Sequence, residues 1–526
     1  MISDPTRKYL EFIDSLSEPK DPAEASKIHV DYVASKIATL YEKLRQVIDY
    51  QEEHLLRKNT VQRILKRRLL LSSDPEEIAK PLVFELIRGG YFPNDKISET
   101  SIKKIENILS KYIFLIENVP AGSERNSLTE WLKSLAATEI EEKMLPAKTD
   151  EVLLEYMVEE LLKRLSFSDT NLEEERKKEL IFIACQKALL KADKALLSWR
   201  LLKFKLPELA NSPDLDLLVK FSESMPLIKK GIEESISNPL IRRIQLVAYR
   251  FVPGFLIIRD IVSDDPSEAR KIFDNPETFE ARLKFVYEKR YKQTKKQNKT
   301  WGLRWVISIL LSKMFLAFLI EIPYDRMTDR PFINLSLLVN LFVPPLLMFL
   351  IIASIRVPRE KNKKLVCQQT LDVVYPKDEI GIIAIKKSSE KKGLKDLVLR
   401  IIFLASSALV FGGVIYLLLK LNFSWVSIVI FLAFFSLIAF SGMKIESSSR
   451  QLKATDREKE EGIFGFVADI FFLPFRNAGK WLSGQLQKYN LIILILNLFF
   501  EAPLQIFFEF IESWRTFIKA KKEELE

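Results

Sequence analysis

One lysine stands in the middle of an apolar run. Lys313 lies within Trp305–Ile322, a stretch otherwise free of charge until Glu321. An ammonium in hydrocarbon is costly unless it is paired, and intramembrane ionisable residues commonly mark ion pathways, relays or ligand sites. The carboxylates that could pair with it are Glu321 on the same segment and Asp469, Glu501 and Glu509 from the C-terminal region. The competing reading is that Lys313 snorkels along a tilted helix toward one face. In the next apolar run, Phe332–Ile355, Asn340 and Pro344-Pro345 fall near the centre. Proline removes a helical donor, and a broken helix exposes carbonyls that could line an ion or substrate site. A plain kink that helps helices fit together is the simpler account. Lys313, Asn340, Pro344 and Pro345 are therefore the candidate intramembrane functional residues. In a third run, Gly412-Gly413 predicts close approach by another helix.

Enzyme chemistry has little to stand on. No phosphate-binding glycine loop, dinucleotide fingerprint, nucleophile elbow or H-E-x-x-H pair occurs. The two cysteines, Cys185 and Cys367, make no disulfide framework or thiolate zinc site, and two histidines, His29 and His54, make no histidine-rich centre. Glu151, Glu155 and Glu159 recur at helical spacing, but Lys163 continues the row, and a solvated helix face explains them. No catalytic residue, metal ligand or cofactor site is expected, and the chain reads as a non-enzyme.

The elements that must position these residues are mostly helical. Four apolar segments, Trp305–Ile322, Phe332–Ile355, Leu397–Leu419 and Phe423–Met443, each fall in the range of about 17–25 residues that spans a hydrocarbon core. Continuous apolar runs without alternation mean helices. Lys and Arg crowd the linkers before the first, between the second and third, and after the fourth. The two tight turns are poor in them. The positive-inside rule then places both termini and the central loop in the cytoplasm, on the inner face of the cytoplasmic membrane.

The expected fold class is an all-α integral membrane protein. Its parts are a cytosolic helical domain (1–300), a first transmembrane hairpin (301–356), a cytosolic β-rich insert (357–395), a second transmembrane hairpin (396–444) and an interfacial amphipathic region (445–526). In the first part, Asp21-Pro22, Asp74-Pro75 and Asp265-Pro266, each followed by Glu, predict capped helix starts, as does the box Ser127–Glu130. Helices are expected at 75–88, 101–118, 128–144, 150–166, 171–204, 214–235, 239–261 and 267–299, the last running straight into the first span. Gln245–Val262 is apolar enough to suggest a span, but Arg250, Pro253-Gly254 and Arg259 interrupt it, so it reads as a buried or membrane-docked helix pair. Val30, Val33, Ile37, Leu40, Leu44 and Val47 follow a heptad spacing, which makes a helix–partner face or one side of an internal bundle.

In the insert, Leu365–Cys367, Leu371–Val374 and Ile380–Ile385 are rich in β-branched residues, with Pro376–Glu379 as a turn. They read as a small β-hairpin or meander. In the C-terminal region, Leu504, Phe507, Phe508, Ile511, Trp514 and Ile518 share one helical face. Trp481, Phe507, Phe508 and Trp514 are the expected interfacial anchors. A re-entrant hairpin or further spans are the alternatives.

Of the 526 residues, 29% are charged and the formal net charge is +10, gathered beside the apolar runs. That placement suits lipid headgroups, and no nucleic-acid partner is expected. Expected partners are membrane lipids and, through the helical domain, other proteins or a second copy. The function expected is a membrane-anchored scaffold or assembly protein. The alternatives are an oligomeric channel or small transporter built on Lys313, and a lipid-interacting membrane-remodelling protein acting through the C-terminal helices.

Overall fold

The structure, a computed structural model, describes residues 2–17, 27–30, 53–328 (apart from 121, 147, 168–171 and 212–213), 335–354, 360–376, 381–385, 394–449, 452–454 and 463–488, and positions 510, 514, 517, 518 and 521. Of the heptad-spaced residues only Val30 is among them, and it is fully buried. Val33, Ile37, Leu40, Leu44 and Val47 lie outside the described residues, as do Phe507 and Phe508.

The N-terminal half is a helical assembly: α1 (Asp4–Ser17), α2 (Glu53–Arg68), α3 (Pro75–Arg88), α4 (Thr100–Glu117), α5 (Arg125–Met144), α6 (Lys148–Arg164), β1 (Leu165–Phe167), α7 (Glu174–Leu189), α8 (Lys194–Lys205), α9 (Pro207–Ala210), α10 (Leu215–Ile236), α11 (Pro239–Asp264) and α12 (Ala269–Asp274). The start at Asp74 forms as its chemistry dictates: its side chain accepts from the Glu76 amide and Pro75 fills the first helical position. Asp193, Asp214, Asn238 and Asn275 cap α8, α10, α11 and the helix after α12 in the same way. The box at Ser127–Glu130 does not form. The helix starts earlier, at Arg125, and the Ser127 hydroxyl accepts from Lys229 Nζ at 2.6 Å. The single helix expected over 171–204 is two, separated by a turn in which Lys191 takes a left-handed φ of 49°. The helix expected over 267–299 is divided at Asn275, which caps the second part.

That second part is α13 (Pro276–Leu316), 41 residues long. Its first turns bury Phe279, Leu283, Val286 and Tyr287 in the N-terminal core, and its last turns carry Lys313. It continues through a π-helical turn (Ala317–Glu321) into α14 (Ile322–Met327). Then come α15 (Leu335–Ser354), α16 (Glu360–Val374), β2 (Ile383–Ile385), α17 (Leu394–Lys420), α18 (Trp425–Ser449) and α19 (Ile463–Lys488). Among the described residues three stretches are long and apolar enough to cross a membrane: Pro276–Tyr324, Leu397–Lys420 and Trp425–Met443. α15 is apolar over the shorter stretch Leu338–Ile352.

The described residues of 357–395 do not form the expected β-hairpin. Leu365–Cys367 and Leu371–Val374 belong to one helix, α16. Asn362, Val366, Thr370, Val373 and Val374 are its buried face, spaced at helical period. Read as short β-branched clusters, they hid that period. Burial against the N-terminal core outweighs their weak strand preference. Among the described residues of this stretch only Ile383–Ile385 is extended, and it pairs in parallel with β1, Leu165 opposite Ile383. Gly254 of α11 makes room for α16, since a Cβ there would sit 2.6 Å from Thr370 Oγ1. α11 itself runs unbroken through Pro253-Gly254 and is a buried core helix, not a helix pair. Further bonds tie α16 and its flank to the N-terminal half: the Ser3 amide to the Val374 carbonyl (2.9 Å), Arg164 Nη2 to the Asp372 carbonyl (3.1 Å) and the Tyr375 hydroxyl to the Phe273 carbonyl (2.5 Å). Asn362 reaches further. Its amide donates to the Tyr287 hydroxyl (3.1 Å) and the Leu452 carbonyl (2.5 Å), and its oxygen accepts from the Ala454 amide (2.9 Å). Residues from 1–290, 366–385 and 452–454 thus share one apolar core.

α19 packs against another helix. It runs along α18, with Phe475 fully buried against Phe435 and Phe411. Gly479 abuts the Ser436 carbonyl so closely that no side chain fits. Asp469 is matched by Arg476 at 2.9 Å. Trp481 and Trp514 are exposed. The close helix approach expected at Gly412-Gly413 is absent: nothing among the described residues lies within 4 Å of a Cβ at either.

Candidate intramembrane site

Lys313 does not snorkel. It is 1% exposed, and its Nζ donates to Asn340 Oδ1 at 2.5 Å. Asn340 Nδ2 donates to Glu321 Oε2 at 2.7 Å, and Lys313 Nζ lies 3.6 Å from Glu321 Oε1. The three side chains close a ring of ammonium, amide and carboxylate. The donor roles are set by chemistry: an ammonium only donates, a carboxylate only accepts, and the amide of Asn340 does both.

Local backbone explains how residues eight apart on one chain meet. In a regular α-helix residue i+8 is rotated by about 80° from residue i. The π-helical turn over Ala317–Glu321 is wider, rotates less per residue, and returns Glu321 to the Lys313 face. Asn340 comes from α15, and α18 closes the ring from a third side, with the Phe434 ring centred 4.9 Å from Lys313 Nζ. The three helices come together through small residues. A Cβ on Gly302 or Gly442 would meet Ile352 or Ile351 of α15 at 2.6 Å. Ile309, Met348, Ile438 and Ile445 form the apolar wall.

Pro344 and Pro345 do not break α15, which is helical from Leu335 to Ser354, and both are buried. Their consequence is local. Pro344 has no amide to offer the carbonyl four residues earlier, which is that of Asn340. The residue bridging the ion pair therefore also carries a backbone acceptor released from the helical ladder.

Of the four candidate intramembrane residues, Lys313 and Asn340 touch directly and Pro344 acts on Asn340 through the backbone. Pro345 lies one residue beyond. Glu321, first among the candidate partners, is the partner. Asp469 pairs elsewhere, and Glu501 and Glu509 lie outside the described residues. Phe434 and the π-turn were missed. Phe434 is one of many phenylalanines in an apolar run, and nothing in residue spacing signals a π-turn.

The chemistry open to this arrangement is that of a closed, charge-balanced ring: one cation, one anion and a bridging amide, with solvent excluded. Both charges sit on one continuous helical segment, so it is Asn340, bonded to each of them, that ties α15 to that segment: withdrawing its amide would leave buried charge without its hydrogen-bond partner. No known family pattern matches the chain, and neither characterised proteins nor solved structures provide a match to it.

Proposed function

We propose that the chain is a multi-pass membrane-anchored scaffold or assembly protein, with a large cytosolic helical domain held in fixed orientation to the bilayer. The observation that carries this reading is the shared core of residues from 1–290, 366–385 and 452–454. Segments that share one core lie on one side of a membrane. An even number of crossings between them follows, which supports two hairpins, α13–α15 and α17–α18, and four spans in all. α13 is the rigid element: one end is built into the core and the other carries the Lys313 ring. The Lys/Arg-rich linkers support a cytoplasmic position for the core and both termini. The test is crosslinking in native membranes followed by purification and mass spectrometry. A reproducible set of partners joined through residues 1–290 is expected. A chain that retains no partner under any crosslinking regime counts against this reading.

The second reading, an oligomeric channel or small transporter, is favoured by the Lys313–Asn340–Glu321 ring itself, since intramembrane charge commonly serves translocation. Reconstituted flux that disappears in Lys313→Leu supports it. Absent flux, or flux indifferent to that change, removes it.

A further inference from the structure

Asn362 holds α13 to the core at Tyr287, and Gly302 of the same helix meets Ile352 of α15. Between those two points α13 rises about 22 Å. Its basic residues divide along this length. Those at the core end are matched: Arg282 and Lys289 by Asp264 (3.5 and 2.8 Å), Lys284 by Glu280 (2.6 Å) and Arg290 by Asp260. Lys292, Lys295, Lys296, Lys299 and Arg304 are exposed, and none of them has an ion pair among the described residues. α13 carries no carboxylate beyond Glu288, and Glu288 is taken by Lys363 of α16 at 2.6 Å.

The unmatched lysines share a face. Lys292, Lys296 and Lys299 follow one another at helical spacing with Lys295 beside them, and the same row continues through Leu303, Ile307 and Met314. All three of these apolar side chains point outward, Leu303 at 61% exposure. The other side of this length, at Tyr291, Thr294 and Asn298, is half-buried or buried. One outward stripe of α13 is therefore cationic on the core side of Gly302 and apolar beyond it. Orienting a span requires cations on one side of the membrane, but does not require them on one face of the helix.

We propose that this stripe is a binding site for an anionic phospholipid, its phosphate against Lys296 and Lys299 and an acyl chain along Leu303 and Ile307. The site rests on the reading of α13 as a membrane span. Charge sets the headgroup class: a row of cations without carboxylates attracts a net anion, whereas a choline headgroup brings a cation of its own. The apolar half of the stripe sets the source. An acyl chain gains from lying on Leu303 and Ile307, and a soluble phosphate has nothing to place there. Lys292 and Lys295, farther from the apolar half, add attraction at longer range.

The experiment is native mass spectrometry of the full chain in a neutral detergent, with dioleoyl phosphatidylglycerol and dioleoyl phosphatidylcholine added in equal amounts. Adducts of the glycerol lipid are expected to dominate. Lys296→Gln with Lys299→Gln should cut that preference about tenfold or more, the scale of two basic residues at an anionic surface. Lys292→Gln with Lys295→Gln should cut it less. Lys104→Gln with Lys230→Gln, exposed on α4 and α10, should leave it unchanged. The proposal is overturned if both lipids are retained equally, if Lys296→Gln with Lys299→Gln keeps the preference, if the α4 and α10 changes reduce it as much, or if glycerol 3-phosphate forms the adducts as readily as the lipid. Whether α13 spans is read separately. In intact cells an impermeant maleimide should reach Met327→Cys and not Gln297→Cys. The reverse removes the span and this site together, while the expected labelling with equal lipid retention removes this site alone.

Discussion

Lys313 and Glu321 are each 1–2% exposed, so either one alone is a bare charge in an apolar site. Removing one member of such a pair costs about 3–5 kcal/mol, while neutralising both is close to neutral. Lys313→Met should therefore lower stability in detergent by roughly that amount. The double change Lys313→Met with Glu321→Gln, which leaves Asn340 an amide partner, should recover most of it. A double-mutant cycle from unfolding measurements reads the coupling, and additive losses would mean that the two do not act as a pair. Glu151 offers a second residue-scale test. Burial, a hydrogen bond to Glu142 and the charge of Glu142 raise its folded-state value above the ordinary 4.5. Its contribution to stability is therefore full below the unfolded value and is lost as pH rises through the raised folded one. Glu151→Gln, a mimic of the protonated form, should match the parent chain near pH 4 and become the more stable of the two toward neutrality. Melting temperatures of both chains across that range check the sign. Burial also pushes both thiols up, at Cys185 and at Cys367. Neither should react with a maleimide until the chain is unfolded, and fast labelling of either would place it outside the core.

At the scale of elements, glycines divide by what faces them. Gly479 abuts backbone of α18, which cannot move aside as a side-chain tip can. Gly479→Leu should separate α19 from α18, read as loss of a crosslink between cysteines placed on the two helices. Gly412→Leu, facing open space, should leave that crosslink and the melting temperature unchanged. Helix positions were legible where caps or long apolar runs announce them, as at Asp74-Pro75 and in Trp425–Met443. α16 was not legible, because Val366, Thr370, Val373 and Val374 favour strands locally and become helical only against α11. The strand Ile383–Ile385 was legible as extended, but its partner, Leu165–Phe167, lies more than two hundred residues away.

At the scale of the whole molecule, α13 runs as one continuous helix from the shared core to the Lys313 ring. Single cysteines placed at Asn422 and at Tyr375 provide the topological test. A membrane-impermeant maleimide applied from outside intact cells should reach the first and not the second. Equal labelling of both would break the two-hairpin reading. Partner capture through residues 1–290 tests function at the same scale.

Composition and hydropathy alone determined that this is a helical chain with segments long and apolar enough to cross a membrane, and that Lys313 needs a partner. Those conclusions rest on transfer free energies, which depend on residue type and run length and not on distant contacts. Only the tertiary structure decided which carboxylate answers Lys313, that a π-turn brings it there, that α16 is a helix, and which cations of α13 are matched by carboxylates of α11. Each depends on atoms brought together from residues far apart along the chain or on a backbone irregularity, and neither leaves a periodic trace in the sequence.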